Sequence, residues 1–106
     1  MDENQFQLIR NWATKRGIYE KGDVATQFVK LSEEHGELAE AILKEDISDQ
    51  IDTIGDMIVV LTNLAELINI KNPFWPPITI EVCIEEAWDQ IKDRQGSMKN
   101  GTFVKE

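Results

Sequence analysis

Basic residues are scarce in this chain. Eleven lysines and arginines face twenty aspartates and glutamates, for a net charge of −9 over 106 residues. So acidic a chain is a poor match for a nucleic-acid backbone, whose binding depends on basic side chains neutralising phosphates. An anionic small substrate remains compatible, provided a divalent cation stands between it and the protein. Cysteine is almost missing: Cys83 stands alone, so no disulfide can form within the chain and a reducing interior is expected. Long apolar runs are missing too. The longest, Met57 to Leu61, is far below the roughly 20 residues that cross a bilayer. The opening Met-Asp-Glu-Asn-Gln lacks the basic-then-apolar order of a signal peptide. These absences lead us to expect a soluble cytoplasmic protein with neither a membrane nor a nucleic acid as partner. There is no internal repeat and no low-complexity segment. Residues 1–106 read as a single domain, short of the size that buries a large core unaided.

What is present is helical periodicity. A first helix is expected over about 3 to 16, with Phe6, Ile9, Trp12 and Ala13 on one side and Gly17 ending it. A turn over 19–23 leads to Asp23, an N-cap for a second helix running to about Lys44. After a break at 45–47, Ser48 is an N-cap candidate for a third helix over about 49 to 69. There Ile51, Ile54, Ile58, Leu61, Ala65 and Ile68 form an apolar seam. Val59, Val60 and Leu67 lie away from that seam, so the helix needs cover on two sides. One short chain can hardly supply it, which predicts a homodimer or homotetramer. The Pro-rich connector 72–77 breaks the helical pattern, and a fourth helix follows over about 79 to 94. The tail, about 95–106, contains an Asn-Gly turn signal and reads as a hairpin or as an extended arm on a neighbour. The expected fold is all-α: an antiparallel bundle of about four helices, completed by homo-oligomerisation.

The chemistry concentrates in the second helix, in Lys30-Leu-Ser-Glu-Glu-His-Gly-Glu-Leu-Ala-Glu40. At 100° per residue, Val24, Phe28, Leu31, Leu38 and Ile42 form its apolar side. Glu34 borders that side, beside Gln27, Leu38 and Ala41; Glu37 stands one turn on, and Glu33 and Glu40 point away. A carboxylate at a core boundary needs a cation. On the third helix Asp52 and Asp56 are one turn apart. If the two helices pack antiparallel through their short link, Glu34, Glu37, Asp52 and Asp56 converge as hard oxygen donors suited to Mg²⁺ or Mn²⁺. Gly36 and Gly55, each inside a helix beside an acid, are expected to permit close approach of a second helix or a ligand. A plain solvated acidic face is the competing explanation. His35 follows the apolar side and is expected to pack in the core.

Leu31-Ser-Glu-Glu-His-Gly-Glu-Leu-Ala-Glu-Ala41, followed by Ile54-Gly-Asp-Met-Ile-Val-Val-Leu-Thr-Asn-Leu-Ala65, resembles the MazG-like nucleoside triphosphate pyrophosphohydrolases of the all-α superfamily. The likeness covers about residues 5 to 94. It is nearest to small phage-type members, whose ends look like Ile91-Lys-Asp-Arg94 and Asn100-Gly-Thr-Phe-Val-Lys-Glu106. The family pattern is Glu-Glu-x-x-Glu, a spacer, then Glu-x-x-Asp. Glu33, Glu34 and Glu37 fill the first half and Asp56 ends the second, but Thr53 stands where the second half has Glu. Asp52, on the same helical side as Asp56, is the substitute ligand candidate.

The resemblance implies Mg²⁺-dependent cleavage of an NTP or dNTP between the α- and β-phosphates, giving a nucleoside monophosphate and pyrophosphate. In that scheme Glu34, Glu37, Asp52 and Asp56 hold the metal, with Mn²⁺ able to substitute, and Glu33 orients or deprotonates the water. Lys92 and Arg94, with Lys30 as second choice, are the cations for the leaving pyrophosphate. Each also has a structural reading: a helix C-terminus favours the first two, and Lys30 is the i−4 neighbour of Glu34. Trp12 either packs in the core or stacks on the base, Asn63 reads base or sugar, and Trp75 serves a lid or an interface. Two other readings stand beside this one. One is a pyrophosphatase of a modified or biosynthetic nucleotide of phosphoribosyl-ATP type; the other is a non-catalytic acidic dimerisation module.

Overall fold

The computed structural model describes residues 4–106. Five helices are followed by a β-hairpin: α1 (Gln5–Lys15), α2 (Ile18–Lys21), α3 (Val24–Leu43), α4 (Ile47–Lys71), α5 (Ile80–Ile91), β1 (Gly96–Lys99) and β2 (Thr102–Lys105). The all-α bundle is therefore present, with one short helix more than expected. Residue 3, at the expected start of the first helix, lies outside the described residues.

Side-chain caps set the helix starts. Asn4 Oδ1 accepts from the Phe6 amide at 2.9 Å, and Asp23 Oδ1 from the Thr26 amide at 2.8 Å. The expected cap at Ser48 is corrected to Asp46, whose Oδ1 accepts from the Asp49 amide at 3.0 Å. The cause is the tightness of the reversal. Glu45 adopts a left-handed φ of 56°, the Asp46 amide returns to Ala41 O at 3.0 Å, and Asp46 is left extended in the capping conformation. The fourth expected helix begins after Thr79 and ends at Ile91, three residues short of Arg94. The tail resolves to the hairpin. Asn100 and Gly101 take φ of 52° and 84°, which lets a two-residue loop pair Met98 with Phe103 and Lys99 with Thr102.

α3 packs most extensively on α4, and α1, α2 and α5 also pack on α4. The buried apolar residues are mostly small, Ala13, Ala41 and Ala65 among them, with Val60, Leu67 and Ile80. Small side chains bring the helices close, but they bury little apolar surface. The expected seam on α4 splits accordingly. Ala65 is buried, whereas Ile51, Ile54 and Ile58 are exposed, Ile51 at 66 %. His35 is exposed rather than packed, because the inward side of α3 is taken by Glu34 and Ala41 and His35 sits 100° further round. A Cβ on Gly36 or Gly55 would meet nothing within 4 Å, so neither glycine serves a close approach within this chain.

One ion-pair cluster ties three helices together. Arg10 donates through Nη1 and Nη2 to the two carboxylate oxygens of Glu81, each at 2.6 Å, and its Nε lies 3.7 Å from Glu66 Oε1. Asn4 Nδ2 adds a bond to Glu81 at 3.1 Å. These donors hold the Glu81 carboxyl down at about 2, while burial raises that of Glu66. No described helix is long and apolar enough to cross a membrane.

Candidate active site

Two depressions meet on one side of the α3–α4 pair. The first, about 280 Å³, lies between α3 and the start of α4 and is lined by Glu37, Glu40, Lys44, Asp49, Asp52 and Asp56, with Ala41 and Thr53 at its base. The second, about 410 Å³, lies between α1 and α4 and is lined by Leu8, Ile9, Trp12, Val59 and again Asp56. Asp56 is the common wall. At 100° per residue, Asp49, Asp52 and Asp56 fall on the side of α4 away from the exposed Ile47, Ile51, Ile54 and Ile58. The acid groove and the uncovered apolar stripe are therefore opposite faces of one helix.

Glu34 precedes the groove-lining Glu37 by one turn of α3. It is only 5 % exposed, and its Oε2 has no hydrogen-bond partner. Its other oxygen is 3.5 Å from Lys30 Nζ, which also lies 3.8 Å from Glu33 Oε2. Leaving a buried polar atom unpaired costs free energy that folded proteins seldom leave uncompensated. The negative charge of Glu34 holds the Glu37 carboxyl above its ordinary range, reinforced by the proton the two groups compete for and by Asp56.

Among the described residues, no three histidine, cysteine, aspartate or glutamate side chains already form a ligating cluster. The donor chemistry nonetheless suits a hard cation. The groove offers carboxylate oxygens without soft ligands, and the buried, unsatisfied Glu34 Oε2 is the atom a cation would satisfy.

The remaining candidates from the sequence are distributed unevenly. Trp12 is 44 % exposed, so it is not a core residue. The Arg16 guanidinium sits over its ring at 4.3 Å from the centroid, a cation–π contact with no obvious sign in the sequence beyond the i,i+4 spacing. Asn63 is buried and takes the Tyr19 hydroxyl bond at 2.6 Å, and burial pushes Tyr19 up to about 12. Lys92 pairs with Asp89 at 3.3 Å, and Arg94 lines a separate depression with Gln95 and Lys105; neither lines the two grooves. Trp75 is exposed in the connector. The basic side chain that does line the acid groove is Lys44, which sequence reasoning passed over because it reads as an ordinary helix-end lysine.

A family model described as the MazG nucleotide pyrophosphohydrolase domain matches residues 20–98. An uncharacterised 18.2 kDa protein from the rep-hol intergenic region of Haemophilus phage HP1 (strain HP1c1) is 41% identical over 63 residues, covering 57% of this chain. The match spans 39% of the phage protein's length. No solved structure matches. The family match takes in α3, α4 and α5 entire, with both walls of the acid groove, and on that ground the chain belongs to the MazG nucleotide pyrophosphohydrolase domain family.

Proposed function

We propose that this chain is a Mg²⁺-dependent nucleotide pyrophosphohydrolase that cleaves an NTP or dNTP between the α- and β-phosphates, releasing a nucleoside monophosphate and pyrophosphate. The observation that carries this reading is the sharing of Asp56 between an acidic groove and an apolar one walled by Trp12. A nucleotide has the same two-part chemistry: an apolar, stackable base and a phosphate chain that needs cations.

In this reading Glu34, Glu37 and Asp56 hold the ion, and Asp52, on the same groove wall, completes the set. Bound there, Mg²⁺ would neutralise phosphate charge and lower the pKa of a water to be used as nucleophile. Trp12 offers its ring to the base, while Leu8, Ile9 and Val59 exclude water from it. Glu33, exposed beside Lys30, would accept a proton from the attacking water from the solvent side. The measurement is direct. Each common ribo- and deoxyribonucleoside triphosphate is incubated with Mg²⁺, and released pyrophosphate is compared with a Glu37→Ala control. Release from at least one nucleotide, absent in the control, is expected; release from none would end the reading for common substrates.

The same reading includes a homo-oligomer. Its support is the apolar surface left open on α4, and a radius of gyration of 16.2 Å against about 13 Å for a compact chain of this length. A second copy covering Ile51, Ile54 and Ile58 would remove that exposure. Light scattering at micromolar concentration should give at least twice the mass of one chain, and a single-chain mass would refute it.

A further inference from the structure

Lys44 lines the acid groove where α3 ends, beside Glu40 and within reach of the Asp49 charge. It folds back one turn so that its Nζ lies 2.6 Å from Glu40 Oε1. Among the described residues lining the groove it is the one cation, set against Glu37, Glu40, Asp49, Asp52 and Asp56. The buried Thr53 lies at the groove base one turn from both Asp49 and Asp56, and a neutral hydroxyl adds no charge with which to hold a cation. Glu37 and Asp56 line the groove near the unsatisfied Glu34 carboxylate, and Lys44, paired with Glu40, is the ammonium among its described lining residues. Glu37 and Glu40 are three residues apart, about 4.5 Å along the helix axis. An ion held at Glu37 would therefore lie one helical turn from the carboxylate that Lys44 pairs with.

We propose that Lys44 is the phosphate-binding cation of this groove, so that a single metal ion and one lysine, in place of two metal ions, neutralise the phosphate chain. Glu40 holds the ammonium over the groove until phosphate oxygens replace its carboxylate as partner. The inference rests on the reading of the groove as a nucleotide site, and it names the residue that makes the site complete with one ion.

The probes are Mn²⁺ and inorganic pyrophosphate, neither of which requires turnover. Mn²⁺ stoichiometry is read by electron paramagnetic resonance, and pyrophosphate affinity by calorimetry in saturating Mn²⁺. The wild-type chain should bind one Mn²⁺. Lys44→Met should keep that ion, with affinity no weaker than in the wild type, while weakening pyrophosphate about 10-fold or more, the effect of losing one charge-assisted hydrogen bond. Lys44→Arg should retain most of the affinity. Lys44 is exposed at the end of its helix, so neither substitution threatens folding. Pyrophosphate affinity within twofold of wild type in Lys44→Met would reduce the Glu40 contact to a helix-surface pair and overturn the proposal, as would two Mn²⁺ per wild-type chain. A wild-type chain that binds neither probe would instead overturn the nucleotide reading itself, and this inference with it.

Discussion

Glu34→Met should yield a protein that is more stable than the wild type and inactive. Glu34 is buried with one carboxylate oxygen unpartnered, and its nearest cation, Lys30 Nζ, is 3.5 Å from the other. An unsatisfied buried polar group costs about 1–3 kcal/mol. Methionine has nearly the same length and no polar atom to satisfy. Removing the carboxylate also relieves its repulsion of Glu37, whose carboxyl it holds above the ordinary range. Lys30 is half exposed and returns to water without loss. The midpoint of thermal unfolding should rise by roughly 4–8 °C for each kcal/mol recovered. In the same variant Mn²⁺ binding should disappear and pyrophosphate release should fall to the Glu37→Ala background. A stability gain paired with loss of function is the signature of a residue kept for chemistry at the expense of folding. If Glu34→Met melts at or below the wild-type temperature, the carboxylate is structurally satisfied and its assignment as a metal ligand loses its main support.

The second large effect is structural and lies in the cluster around Arg10. Arg10→Met removes two 2.6 Å hydrogen bonds to Glu81 and leaves Glu81 and Glu66 as neighbouring acids without a cation. Breaking a buried pair from one side costs about 3–5 kcal/mol. Because the Glu81 side chain keeps 36% of its exposure, solvent screening brings this to about 2–3 kcal/mol. That is a large share of the roughly 5–15 kcal/mol available to a domain of this size. It should detach α1 and α5 from α4 before the α3–α4 pair melts.

The pH dependence follows from Glu81. Its carboxyl is held at about 2 in the folded chain, below its ordinary value of 4.5. A depressed carboxyl stabilises the fold fully above the unfolded value and ceases to do so as pH falls through the folded one. Wild-type stability should therefore drop between about pH 4.5 and 2, and Arg10→Met should be markedly flatter there. Glu66 acts in the opposite sense: burial raises its carboxyl, so protonating it on acidification relieves a cost. Denaturant titrations at pH 7, 4 and 2.5 separate the two variants. Parallel losses in both would place the acid sensitivity elsewhere.

Much of this architecture could be read from residue order. The period of Val24, Leu31, Leu38 and Ile42 marked α3, Asp23 marked its start, and the Pro-rich connector marked the end of α4. Asn100-Gly101 contained the hairpin, since few other pairs adopt two successive left-handed conformations cheaply. Burial was less legible. Glu34 and His35 are adjacent; periodicity set Glu34 at the border of the apolar side and expected His35 to pack too, whereas only Glu34 is buried and His35, a single 100° step round, is exposed. The seam on α4 was real as a pattern, but half of it faces nothing in this chain. Periodicity marks the side that wants cover and does not say which chain provides it.

The sequence by itself determined the helical class, the element order and the presence of acids at helical spacing on two consecutive helices, because these depend on neighbours within one turn. Only the tertiary structure decided which of those side chains share a groove, that Trp12 walls a second groove joined to it through Asp56, and that Lys44, unlike Lys92 or Arg94, lines the acid groove. Those outcomes depend on how α1 and α3 cross α4, and that crossing is set by small buried residues far apart in the chain, such as Ala13, Ala41 and Ala65.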